Sequence, residues 1–152
     1  MIPFEDYKYY YNRYINCVLG VREQEFSIMN VSEEEKRNFF NYATGTKLLL
    51  MVAFIESNFL TSSQMKKLRK FEEIDGIPDN IHQSLLSSFI YIRDCIAHNP
   101  RIELLPSGQN TDEFLKIIEE GFHFAEIQDT SIIIKEDAIH YLHLTIRKFF
   151  EE

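Results

Sequence analysis

The sequence predicts an all-α fold, an antiparallel bundle of four principal helices with a short extra helix and a small β-hairpin before the last helix. Three observations predict it. Apolar residues recur at steps of three and four through most of the chain. Serine, threonine and proline stand where helices should begin. Two β-prone runs bracket a polar turn near the C-terminus. At 152 residues the chain reads as one domain, 1–152, large enough to bury a real core. With 13 Phe, 8 Tyr and no Trp, that core is unusually aromatic.

The first helix runs from about Pro3 to beyond Leu19, with Tyr7, Tyr11, Tyr14, Val18 and Val21 as one apolar stripe. Tyr9 and Tyr10 add hydroxyls beyond that stripe, which either face a groove or partner or are wet tips of packed rings. Ser32 and Glu35 form a capping box for the second helix, which extends to about Leu60. Its continuous apolar run from Leu48 to Ile55 demands burial on nearly all sides, which makes it the central helix. Gly45, between two threonines, marks either a kink or a close helix contact. Thr61-Ser62-Ser63 caps a third helix ending near Asp75-Gly76. That helix carries Lys66, Lys67, Arg69 and Lys70, the densest basic cluster in the chain, as a solvated face or a face turned to phosphates.

Pro78 fits the first turn of the fourth helix, whose buried stripe is Ile81, Leu85, Phe89, Ile92 and Ile96. Ser87, Tyr91, Asp94 and His98 form a second, polar line on it, suited to a solvent-accessible groove or an ordinary exposed face. A loop from Pro100 to Asn110 precedes a short helix over Thr111–Glu120, closed by Gly121. The runs 122–127 and 130–134, joined through Gln128-Asp129, predict the hairpin. The last helix spans about Lys135 to Phe150, with Ile139, Leu142, Ile146 and Phe149 facing the core.

Composition excludes several function classes. A net charge of -8 argues against coating nucleic acid by bulk electrostatics, while leaving room for a local basic site. Cys17 and Cys95 lack metal-type spacing and read as buried thiols of a reducing compartment. The charged, aromatic N-terminus is no signal peptide and no apolar run is long enough to cross a membrane, so the expected location is cytoplasmic. Glu136, His140 and His143 share a helix but lack the further ligands of a zinc motif, so no metal is assigned. His82 and His123 carry no pattern. The chain contains no phosphate-cradling Gly-rich loop, nucleophile elbow or Cys/His array.

The stretch that carries chemistry is Arg93-Asp94-Cys95-Ile96-Ala97-His98-Asn99-Pro100. Pro100 and Asn99 end the helix, which places His98 in its terminal turn, where the negative end of the helix stabilises an imidazolium. Asp94, four residues earlier, lies on the same side and is placed to orient the ring. Arg93 lies one position round. This run resembles the R-x4-6-H signature of the HEPN superfamily, all-α domains of which many are metal-independent ribonucleases. Asp94 matches the small polar residue that usually follows the arginine, and the motif closes a long amphipathic helix, as in that family.

The resemblance implies Arg93, Asp94 and His98 as catalytic residues and no cofactor. Tyr91, Asn99, Lys66, Lys67 and Lys70 are the expected RNA contacts beside them. It implies a homodimer joined through the motif helix, so that one cleft holds two arginines and two histidines. Cleavage by the 2′-hydroxyl would leave 2′,3′-cyclic phosphate ends. Many such proteins are toxins or phage-defence effectors beside an antitoxin or sensor. One toxin branch carries a modifiable tyrosine two positions after the histidine. Here that position is Pro100, which weighs against that mode of neutralisation. The alternatives are a non-catalytic HEPN-like module that binds a nucleotide, or a helical interaction protein with a chance motif.

Overall fold

The computed structural model describes Glu5, Tyr7, Lys8, Tyr11, residues 32–98 and residues 101–151. Five helices and one two-stranded antiparallel hairpin make up the described chain. The expected first helix, including Tyr9, Tyr10, Tyr14, Cys17, Val18 and Val21, falls largely outside the described residues, as do Asn99 and Pro100.

Helix α1 (Glu33–Phe59) begins where Ser32 Oγ accepts from the Glu35 amide at 3.1 Å, with Glu33, Glu34 and Glu35 complementing the positive helix end. Leu48, Met51, Val52 and Ile55 are buried and the residues between them half-buried, as the continuous apolar run requires. The helix packs against α3 (Gln83–His98), α5 (Glu136–Phe150) and strand β2 (Ser131–Ile134), and is the centre of the fold. Gly45 is a close contact. A Cβ there would lie 2.9 Å from Ile102 Cδ1 and 3.3 Å from both Ile134 Cδ1 and Ile96 Cδ1. The absent side chain lets three isoleucines from different segments converge on α1. Gly45 near Ile96 and Glu56 beside Arg93 oppose α1 and α3. Thr44 beside Glu136 and Phe59 stacked on Phe149 show that α5 shares the direction of α1.

Helix α2 (Ser62–Arg69) carries a full capping box, in which Thr61 Oγ1 accepts from the Gln64 amide and Gln64 Oε1 from the Thr61 amide. It stops at Arg69, well before the expected Asp75-Gly76. Phe71 adopts φ 58°, its amide donates to Leu68 O, and the Glu72 amide donates to Lys67 O, both at 3.0 Å. This is a Schellman ending with phenylalanine where glycine is usual. The Phe71 ring packs on the core, which offsets the cost of the left-handed backbone. Helix α3 likewise begins at Gln83 and not at Pro78. Its first side chain is committed to the loop before it, since Gln83 both accepts from the Ile74 amide at 2.9 Å and donates to Ile74 O at 3.0 Å.

Helix α4 (Gln109–Glu119) ends before Gly121, whose φ of 93° suits a residue without Cβ. Strand β1 (Ala125–Gln128) pairs with β2 in the register Ala125 to Ile134 and Gln128 to Ser131, turning through Asp129 at φ 57°. Asn41 docks this hairpin on α1 by donating to Ile132 O at 2.9 Å and accepting from the Ile134 amide at 2.8 Å, as a neighbouring strand would. Helix α5 buries Ile139, Leu142, Ile146 and Phe149, the expected stripe. The core is aromatic, with Phe89 on Phe124 and Tyr91 stacked on Phe114.

Tyr7 and Tyr11 are buried against α1 and α5. Tyr7 packs on Phe54 and Phe150, and its hydroxyl is hydrogen-bonded to His143 Nδ1 at 2.9 Å. Burial, with a smaller effect of His140, lowers the pKa of His143 below its ordinary 6.5. The unfolded chain therefore takes up this proton first as pH falls. The stability tied to neutral His143 is complete above about pH 6.5 and declines below it until the folded value is passed. Melting temperature is expected to fall across that window, and His143→Gln to flatten this part of the profile in a thermal melt series.

Candidate functional site

The last turns of α3 meet α1 and α2 in a ladder of alternating charge. Arg93 is only 12% exposed. Its Nη1 donates to Glu56 Oε2 of α1, while Nε and Nη2 both donate to Asp94 Oδ1, at 3.2 and 3.1 Å. The other Asp94 oxygen lies 3.5 Å from Arg69 Nε of α2. The sequence Glu56, Arg93, Asp94, Arg69 thus runs across three helices with its formal charges balanced. A guanidinium held on two edges by carboxylates keeps one orientation, and orientation is what distinguishes arginine from lysine as a phosphate ligand.

His98 is exposed in the final turn of α3, at the negative helix end. Five residues separate it from Arg93, about 7.5 Å along the axis and roughly 140° round it. The two side chains of one chain therefore point to different sectors. Asp94 is turned to the arginines, and among the described residues no hydrogen bond joins it to His98. The expected orienting role of Asp94 toward the imidazole is thus replaced by one toward Arg93 and Arg69, because two guanidinium groups offer stronger partners than an exposed ring.

The polar line through Ser87, Tyr91, Asp94 and His98 opens to solvent only at its C-terminal end. Ser87 and Tyr91 are buried. Tyr91 stacks on Phe114, shares a 2.8 Å hydrogen bond with Thr111 Oγ1, and accepts from the Leu105 amide at 3.0 Å. The expectation that Tyr91 contacts RNA is therefore corrected. Its hydroxyl is satisfied inside the protein and ties the loop before α4 to α3. The reason is the width of the buried sector, since α4 and its loop cover the face that helical spacing alone left open.

Lys66 and Lys67 are exposed on α2, which packs on the motif helix, and Lys70 is exposed as the residue that ends it. Asn99 lies outside the described residues. Cys95 is buried, and burial pushes its thiol up to about 11, which suits a packed and unreactive cysteine. Among the described residues no group of three His, Cys, Asp or Glu could hold a metal, and no helix is long and apolar enough to cross a membrane. Sequence reasoning missed Glu56 as part of the site. It sits 37 positions before Arg93, on a helix read only for its apolar face, and no local pattern links the two. Arg69 was legible only as one of four basic residues. Its pairing with Asp94 depends on how α2 packs on α3.

No family model, no curated protein and no solved structure matches this chain.

Proposed function

We propose that the protein is a metal-independent endoribonuclease of the HEPN type, active as a homodimer in which two motif helices line one cleft. The observation that carries this reading is the preorganised Arg93, fixed by Asp94 and Glu56 in the last turns of the helix that ends in exposed His98. Cleaving RNA without a metal requires removal of the 2′-hydroxyl proton, stabilisation of charge on the phosphorane-like transition state, and protonation of the leaving 5′-oxygen. His98 supplies proton transfer and Arg93 holds phosphate oxygens. Because Arg93 and His98 diverge on one helix, a second copy is needed to set a histidine opposite an arginine. Lys66, Lys67 and Lys70 on the adjoining helix guide the RNA backbone. A toxin or phage-defence role, restrained by an antitoxin or sensor protein, is the biological setting in which such an activity belongs.

The test is cleavage of a labelled single-stranded RNA. Activity is expected to persist in EDTA and to leave 2′,3′-cyclic phosphate ends, from protein that light scattering finds dimeric. Loss of activity on chelation with recovery in zinc or manganese, or a strictly monomeric active species, would refute the mechanism. One observation favours a second reading, a non-catalytic RNA- or nucleotide-binding module of the same type. Arg93 commits its contacts to carboxylates and is mostly buried, as a structural arginine would be. Wild-type protein that binds RNA and leaves it intact would decide for that module.

A further inference from the structure

We infer that an open hollow on α2, lined by Ser62, Ser63, Lys66 and Arg69, is a binding subsite for one phosphodiester of single-stranded RNA. The inference rests on the reading of the protein as RNA-binding and names the place where the backbone is gripped. The hollow is an open depression of about 330 Å³, and every side chain that lines it brings a hydrogen-bond donor. No carboxylate lines it. The hollow beside Glu72 and Glu73 and the groove beside Glu34, Asp129 and Glu136 are differently built, each with acids in the wall. In a chain of net charge -8, a surface hollow that carries two cationic side chains and no carboxylate favours an anion.

The donors also share a direction. Ser62, Lys66 and Arg69 are spaced four and three residues apart, so they stand in one line along α2, with Ser63 beside it. The helix itself is fixed by the Thr61–Gln64 capping box and by the Schellman ending at Phe71, which hold the backbone beneath the hollow. Arg69 is the one of the four with a charged partner beside it. It is 48% exposed, and its Nε lies 3.5 Å from Asp94 Oδ2. A half-exposed guanidinium in the wall of the hollow can offer paired donors to phosphate oxygens, with Lys66 as the second charge and the serine hydroxyls as neutral donors.

Asp94 therefore holds two arginines at once, Arg93 through one oxygen and Arg69 through the other. The hollow and the proposed catalytic arginine are coupled through a single carboxylate. A phosphate seated in the hollow sets the strand beside the end of α3, and Asp94 is a positioning residue for both contacts. Lys67 and Lys70 lie outside the hollow's lining and contribute only general attraction.

The experiment measures binding, separately from cleavage. Fluorescence anisotropy of a short labelled single-stranded RNA is followed with His98→Ala protein at several salt concentrations. Adding Lys66→Ala or Arg69→Ala to that background is expected to weaken binding by about tenfold, the scale of one charged hydrogen bond, and to reduce the salt slope by about 0.7. Arg69→Lys is expected to recover the slope but only part of the affinity, because it keeps the charge and loses the fork. Asp94→Asn weakens binding as well as cleavage. Arg37→Ala, at an exposed position of α1 outside the hollow, is the control for lost charge alone, and thermal melts establish that each variant is folded. Equal effects of Lys66→Ala, Arg69→Ala and Arg37→Ala would overturn the subsite. Cleavage by the wild type with binding indifferent to the hollow would overturn it too, while leaving the ribonuclease reading in place. Hollow-dependent binding by a wild type that never cuts would support the subsite and refute the ribonuclease reading.

Discussion

His98→Ala is expected to lower RNA cleavage by about two to four orders of magnitude, the usual scale for loss of a general acid–base group. Its effect on folding should be small. The side chain is exposed in the terminal turn of α3, and no hydrogen bond anchors it among the described residues. What folding loses is the interaction of the imidazolium with the negative helix end, about 1 kcal/mol or less at an exposed position. A thermal melt close to that of the wild type, beside an inactive protein, is the expected pair of results. Asp94→Asn should cost less activity than His98→Ala, because Asp94 touches the arginines and not the imidazole. Full cleavage by folded His98→Ala protein would eliminate the proposed mechanism.

The same exposure explains why His98 could be placed from sequence. Its position follows from local signals, the Asn-Pro pair next in the sequence, and those signals do not depend on packing. Helix caps at Ser32 and Thr61, the stripe of α5 and the hairpin turn were legible for the same reason. Where tertiary contacts decide, the sequence was silent. Phe71 ends α2 because its ring reaches the core, whereas a glycine at that position would have announced the stop. Tyr91 is buried because α4 and the loop before it cover a face that helical periodicity marks as polar. Glu56 belongs to the site only because α1 crosses α3 beside Arg93. Gly45 was ambiguous until three isoleucine side chains were found converging on it.

Arg93→Ala is expected to act on activity and stability together, and a double-mutant cycle separates the two. Without the guanidinium no fork remains for phosphate oxygens, so cleavage should fall by about two to four orders of magnitude, comparable with His98→Ala. Removing one member of a buried ion pair costs about 3–5 kcal/mol because the partner is stranded. Here the partners are not fully buried, with Glu56 39% and Asp94 24% exposed. Asp94 also keeps Arg69. Solvent screens both carboxylates, so the expected loss is smaller, about 1–3 kcal/mol. Adding Glu56→Gln to Arg93→Ala removes the charge left without its arginine and should return part of that stability, with a coupling of about 0.5–2 kcal/mol. It should return no cleavage. Denaturant melts of the wild type, the two single variants and the double variant measure the coupling, and single-turnover cleavage measures the chemistry. Recovery of both would make Arg93 a structural residue whose loss acts through folding alone. Recovery of stability with activity still absent assigns it to the phosphate.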